Sequence, residues 1–233
     1  MKIYVEEAVF SLLPDLTLFC LEADLGKLRE NGREGLKKDF RTALERALER
    51  RKEKGEALPP VDPLEAWKKV FGEFTSEKGV KTSFEALLAS SRAGRPEARC
   101  PVEEAQKAVS LYFSVPLFGL DLPKVQKFLG LCLSQGRDPF LGPEGKESLT
   151  REGEICYMDR QGALSRCINW KNSPRTAPTG QSRKVLFISE SPDKDSRMRT
   201  GEAVRDLERR LNFYFGADTK SFVLDSIQTA KRI

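Results

Sequence analysis

From Lys127 to Ser191, short apolar runs follow one another with only turn-length polar stretches between them. "KFLGLCLS" reads as a buried strand, "EICYM" and "ALSRCINW" flank "DRQG" as a β-hairpin, and "KVLFISE" reads as a further strand. "DPFLGPEGKES" reads as a loop. Strands placed this way outnumber the openings for a strand-helix-strand crossover. The chain is therefore expected to be α+β, with a largely antiparallel, barrel-like β core flanked by helices.

The remaining segments supply the flanking elements. "MKIYVEEAVFSLLPDLTLFCLEADLG" reads as one or two strands with a turn at Pro14-Asp15. A charged amphipathic helix is expected from about Gly35 to Lys54, with Phe40, Ala43, Leu44, Ala47 and Leu48 on one face. Its other face carries "RALERRKEK", a mixed-sign run that reads as a solvated surface or a nucleic-acid patch. "GEALPPVD" reads as a linker, and Asp62 as the cap of a helix with Pro63 at its first position. Leu64, Trp67, Val70, Phe71 and Phe74 would face inward from that helix. Thr82-x-x-Glu85 fits a capping box, so a helix should begin at Thr82 or Ser83. Pro101 opens another, with Val102, Ala105, Val109 and Tyr112 in register. A last helix, from about Thr200 to Phe215, should stop at Gly216. Residues 1–60 then form an N-terminal strand-helix scaffold region and 61–233 the main unit, the two packed as one compact body.

Composition narrows the chemistry. There is no histidine, which removes His-based triads, His general bases and the common zinc sites. Cys20, Cys100, Cys132, Cys156 and Cys167 form no CxxC pair and sit mostly in apolar stretches. They read as reduced, buried thiols of a cytoplasmic protein. No apolar run approaches the ~20 residues of a membrane span. The N-terminus carries Glu6, Glu7 and Asp15 without a small-residue cleavage site, so no signal peptide is expected. Neither GxGxxG nor GxxxxGK[ST] occurs, and no cofactor or metal is expected.

One local imbalance stands out against a nearly balanced chain of 40 basic and 35 acidic residues. From Lys171 to Lys184 the bases Lys171, Arg175, Arg183 and Lys184 are accompanied by no Asp or Glu. Cations on a loop with hydroxyls and an Asn amide suit a phosphate backbone or a carboxylate, with the neutral groups reading what is attached. The same run also fits a solvated loop between strands. Trp170 fits core packing or a stacking surface, and Glu85 fits its capping box without any further role. Turn chemistry accounts for Gly119 and Asp121, and the helix dipole for Glu103 and Glu104.

The ordered series "GVKTSFEALL", "KAVSLYFSVPLFGLDL", "RDPFLGPEG", "GEICYMDRQGALSRCINWKNSPRT" and "KVLFISES" resembles the free-standing B-three/B-four domain proteins. These are relatives of the tRNA-binding and editing domain of the phenylalanyl-tRNA synthetase beta subunit. The most specific piece is "INWKNSPRT", which is similar to the family's Asn-Trp-Arg-x-Ser-x-Arg-Thr signature. The resemblance implies a closed β core and a pocket for the aminoacylated acceptor end of a tRNA. It further implies metal-independent hydrolysis of a mischarged tRNA, rather than a complete synthetase. Residues matching the family pattern are Ser83, Glu85, Gly119, Asp121, Asn169, Trp170, Ser173, Arg175, Thr176 and Thr179. Lys171 replaces the usual Arg, Pro174 stands where Asp is common, and Cys100, Lys107 and Lys184 occupy positions where Asn is expected. A non-catalytic RNA-binding module and a binder of free amino acids or small metabolites are the alternative readings.

Overall fold

The computed structural model describes residues 1–52, 63–92 and 98–233. Its first half contains β1 (Lys2–Val5), α1 (Glu7–Leu12), β2 (Thr17–Asp24), α2 (Gly32–Lys52), α3 (Pro63–Val70), α4 (Ser83–Arg92), α5 (Pro101–Phe113) and β3 (Phe118–Asp121). There follow β4 (Phe128–Gln135), β5 (Pro139–Leu141), β6 (Glu147–Leu149), β7 (Glu152–Asp159), β8 (Gly162–Ala163), β9 (Ser165–Arg166) and β10 (Lys171–Asn172). The chain ends with β11 (Lys184–Ser191), α6 (Arg197–Phe215), β12 (Asp218–Leu224) and β13 (Ala230–Arg232).

The fold is α+β, and most strand pairs are antiparallel; β1 with β4 and β5 with β8 are the parallel exceptions. The strands do not close into the expected barrel. They form a seven-stranded sheet, β13-β1-β4-β7-β8-β5-β6, and a four-stranded sheet, β12-β2-β11-β3, with β9 and β10 paired apart. The two sheets meet through side chains rather than through hydrogen bonds along their edges, so each keeps free edge strands. Period-2 alternation shows how. Leu18 and Cys20 on β2, with Leu186 and Ile188 on β11, share a core with Ile3, Leu129, Leu131, Ile155 and Tyr157 of the larger sheet. The intervening residues Leu21, Ala23, Val185 and Phe187 point the other way, onto Val102, Ala105 and Val109 of α5 and Val204, Leu207 and Leu211 of α6. The central strands β2 and β11 are thus buried on both faces, which is why Val185–Ile188 is an unbroken apolar run.

Helices α2 and α4 pack against the outer side of α5 through Phe40, Ala43, Ala47, Phe84, Leu88, Ala108 and Leu111, with Leu44, Leu48 and Leu64 at the margin. Trp67, Val70, Phe71 and Phe74 are buried in the core between the sheets. The capping box is formed: Thr82 N–H donates to Glu85 Oε2 (3.0 Å) and Glu85 N–H donates to Thr82 Oγ1 (3.1 Å). Gly216 ends α6 in the left-handed conformation, at φ 57°.

Several expectations change. The N-terminal run contains the short helix α1 between its two strands, because Val9 and Phe10 bury one side of a single turn-and-a-half. "DPFLGPEGKES" folds as the β5–β6 hairpin, with Gly145 at φ 75° in the turn. Tyr112, in the last turn of α5, is 43% exposed, whereas the adjacent Leu111 is fully buried against α2 and α4. The linker and the Asp62 cap lie outside the described residues. Among the described residues no helix is long and apolar enough to cross a membrane.

Candidate functional site

The segment Ile168–Thr176 does not continue a strand to Trp170. Residues 167–170 form a turn, in which Cys167 (φ 46°) and Ile168 (φ 61°) are left-handed. For a β-branched residue that conformation is strained, at a cost of about 1–3 kcal/mol. Local hydrogen bonds hold it. Ile168 N–H donates to Ile155 O (2.7 Å), Cys167 N–H to Glu154 Oε1 (3.0 Å), and Trp170 N–H to Arg166 O (3.1 Å). The turn folds Lys171 and Asn172 back onto Arg166 and Ser165. It also sends Asn169 inward, where its side chain is fully buried.

Asn169 joins two parts of the molecule. Its Oδ1 accepts from the backbone N–H of Ser83 at the start of α4 (3.2 Å), and its Nδ2 donates to Glu190 Oε2 (3.2 Å). Glu190 lies between the sheets at 0% exposure and also accepts from the Tyr157 hydroxyl (2.9 Å). Burial with neutral donors only pushes its carboxyl up to about 7.

Beside this joint is a cavity of about 160 Å³ between α4, α5, β3 and the Asn172–Pro178 segment. Leu87, Leu117, Phe118 and Leu120 give it apolar walls; Ser83, Glu103, Gln106, Lys107, Asn172 and Ser173 supply polar groups. Ser83 Oγ and Asn172 Oδ1 are buried and lack any hydrogen-bond partner in the protein. Gln106 Nε2 donates to Leu117 O (2.9 Å), which fixes that amide with Oε1 on the Gly119 side. Glu103 is buried; burial alone would raise its carboxyl, but Arg99 and Lys107 outweigh this and hold it below the usual carboxylate range. Its partners are Arg99 Nε at 2.9 Å and Lys107 Nζ at 3.3 Å. Gly119 keeps the space tight: a Cβ there would sit 3.0 Å from Gln106 Oε1 and 3.1 Å from the Phe187 ring.

Of the residues singled out in the sequence, Ser83, Gly119 and Ser173 line this cavity. Asn169 stands behind Ser83, and Glu85 caps α4. Asp121 accepts from Ser182 Oγ (2.8 Å) and pairs with Lys124 (3.0 Å), while Thr179 N–H donates to the same Ser182 Oγ (2.9 Å). Thr176 is fully buried beside that segment with its hydroxyl unpartnered. Lys171 lies over the Trp170 ring at 4.0 Å, and Trp170 packs partly buried on the inter-sheet core. Arg175 forms a two-point ion pair with Asp159, both contacts at 2.8 Å, and also donates to Gln161 Oε1 (2.9 Å). Burial would raise Asp159, but the Arg175 guanidinium holds it below its ordinary value. The basic run is therefore partly neutralised by an acid from the preceding hairpin.

Sequence reasoning missed Asn172, Gln106 and the ion pair at Glu103. The signal was present: Gln106, Lys107 and Ser110 follow Glu103 at helical spacing on one face of α5. Among the described residues no cluster of Cys, Asp and Glu is arranged to hold a metal ion. Of the cysteines, burial pushes Cys132 and Cys167 up to about 12 and raises the others as well, so the thiols are not nucleophiles.

The fold is an α+β core with a cavity of mixed polar and apolar lining at the edge of its four-stranded sheet. The B3/4 domain model matches residues 66–215, and the chain belongs to that family, whose domain is found in the phenylalanyl-tRNA synthetase beta subunit. No curated protein matches the chain.

Proposed function

We propose that this protein is a stand-alone aminoacyl-tRNA deacylase that binds the acceptor end of a mischarged tRNA and hydrolyses its ester in trans. The observation that carries the reading is the cavity holding two buried, unpartnered oxygens, Ser83 Oγ and Asn172 Oδ1. Such groups cost free energy when left unsatisfied and serve a ligand or an ordered water. An aminoacyl ester is already activated, and the vicinal ribose hydroxyl assists its departure. What remains is to position a water and to supply donors to the developing oxyanion. The Ser83 hydroxyl is the donor at hand, held by the Asn169–Ser83 backbone bond. The apolar walls sort the aminoacyl side chain by size.

A deacylation screen over a panel of mischarged tRNAs tests this directly. Release of amino acid from at least one, lost in Ser83→Ala and Asn172→Leu, is the expected result. Tight binding of uncharged tRNA without release from any member of the panel would instead establish a non-catalytic RNA-binding module.

A further inference from the structure

A second surface, remote from the cavity, carries cations that the fold does not use. Asp39 and Arg50 bring α2 alongside α6 and the end of α5, and the valley there opens onto a hollow of about 660 Å³ lined by Tyr112 and Phe113 of α5 and by α6. Arg50 of α2 closes the end of α5, donating to Tyr112 O (2.9 Å) and Leu111 O (2.8 Å). Arg46 and Arg199 stand close enough to Arg50 for their like charge to act on it, lowering its pKa after burial has done so. Arg205, Arg209 and Arg210 line the opposite wall. Against these are Glu202, Asp206 and Asp39; Asp206 is occupied by Arg209 and Arg210, and Asp39 by Arg210. Arg46, Arg199 and Arg205 have no carboxylate within ion-pair distance among the described residues. Six arginines against three carboxylates leave an excess of positive charge, which favours an anion between them.

Two features narrow the anion. Among the described residues the free cations of the valley, Arg46, Arg199 and Arg205, are arginines, whose planar fork matches phosphate oxygens in two-point fashion. At its floor Tyr112 is 43% exposed and meets Phe113 edge-on at 5.1 Å. Arginines around an exposed aromatic are the pattern of a single-stranded nucleic-acid groove. We propose that the valley between α2 and α6 is an RNA-binding surface, its arginines gripping phosphates and Tyr112 stacking an unpaired base. This rests on the RNA partner in the reading above, not on hydrolysis. Tyr112 lies nine residues after Glu103, about 13 Å further along α5 and on the opposite side of the helix. The valley therefore holds the body of an RNA, and the cavity its acceptor end.

The test is fluorescence anisotropy of labelled uncharged tRNA at two salt concentrations, with wild type, Arg46→Glu/Arg205→Glu and Tyr112→Ala. All three side chains are exposed, and circular dichroism verifies that the fold is kept. The double reversal should weaken binding at least tenfold and flatten the dependence of log K on log salt by about two. Tyr112→Ala should weaken it at least fivefold with the slope unchanged. Hydrolysis of an aminoacylated acceptor minihelix should be untouched by either variant. If no protein hydrolyses any ester while the binding losses appear, the deacylase reading falls and the valley stands. Unchanged tRNA binding in both variants would overturn the proposal, as would equal affinity for a polyglutamate peptide, which would mark an acidic-protein surface.

Discussion

Glu190 offers the sharpest physical test of the fold around the site. Its carboxyl is fully buried, accepts from Tyr157 and Asn169, and has no cation partner, so burial raises it from 4.5 to about 7. A carboxyl whose folded pKa lies above its unfolded one binds its proton more tightly in the native state. Stability is then greatest below pH 4.5 and falls as pH rises to about 7, levelling off beyond. At about 1.4 kcal/mol per pH unit, keeping the ionised form buried costs about 3 kcal/mol at pH 8. Glu190→Gln removes that cost without breaking the network. The amide oxygen accepts from Asn169, whose orientation is fixed by Ser83, and the amide NH₂ donates to the Tyr157 oxygen, whose hydroxyl can turn. Allowing about 1 kcal/mol for the weaker neutral hydrogen bonds, the variant should gain about 2 kcal/mol at pH 8. For a chain of this size that is about 4–8 °C in Tm. At pH 5 the two proteins should differ little. Urea melts from pH 5 to 8 measure both. A difference between wild type and variant that does not change with pH would refute the placement of an uncompensated carboxyl at this point.

Four further outcomes follow from the same geometry. Arg175→Lys cannot reproduce the two-point pair with Asp159 and should cost roughly 1–3 kcal/mol in urea melts, with activity falling alongside; full stability with lost activity would instead mark a ligand contact. Asn169→Asp puts a carboxylate oxygen 3.2 Å from Glu190 Oε2, so the variant should be tolerated at pH 5, where one proton bridges the pair, and strongly destabilised at pH 8; equal losses at both pH values would count against it. Gly119→Ala crowds Gln106 and Phe187 and should weaken ligand binding with a modest stability loss, checked by calorimetry and thermal melts. Chelators should leave ester hydrolysis unchanged, because a chain with no histidine and scattered cysteines offers no soft or imidazole site; restoration of a lost activity by a divalent ion would show otherwise.

What the sequence made legible was local. The Thr82–Glu85 box, the Pro101 start of α5 and the Gly216 stop of α6 each depend on neighbours within four residues. The β7–β8 hairpin came from the two apolar runs that flank "DRQG". Closure of the β core was not legible in that way, because which strand edges meet depends on sheet order, and β1 pairs with the distant β4 and β13. The cavity was half legible. Ser83, Gly119 and Ser173 lay in recognisable segments, but Asn172 and the inward turn at Asn169 depend on left-handed residues at Cys167 and Ile168, which no propensity favours. Tyr112 shows the converse error: helical register alone put it inside, whereas it is the adjacent Leu111 that α2 and α4 bury.

The acid-free basic run has a physical explanation that differs in kind from a free phosphate clamp. Its acids are supplied from outside the run. Asp159, at the end of β7, holds Arg175 and also accepts from the backbone of Gln126 and Gln161, tying the loop to the hairpin and to the start of β4. Asp121, at the end of β3, is paired with Lys124 and bound by Ser182. With the segment anchored at Arg175 and at Ser182, its residues Asn172, Ser173, Ala177 and Pro178 are held as a wall against α5 and β3. A wall so fixed is what allows Asn172 Oδ1 to remain buried without a partner: a loop free to move would turn that oxygen out to water. Arg175 thus acts on the shape of the cavity, and the neutral Asn172 and Ser173 line it.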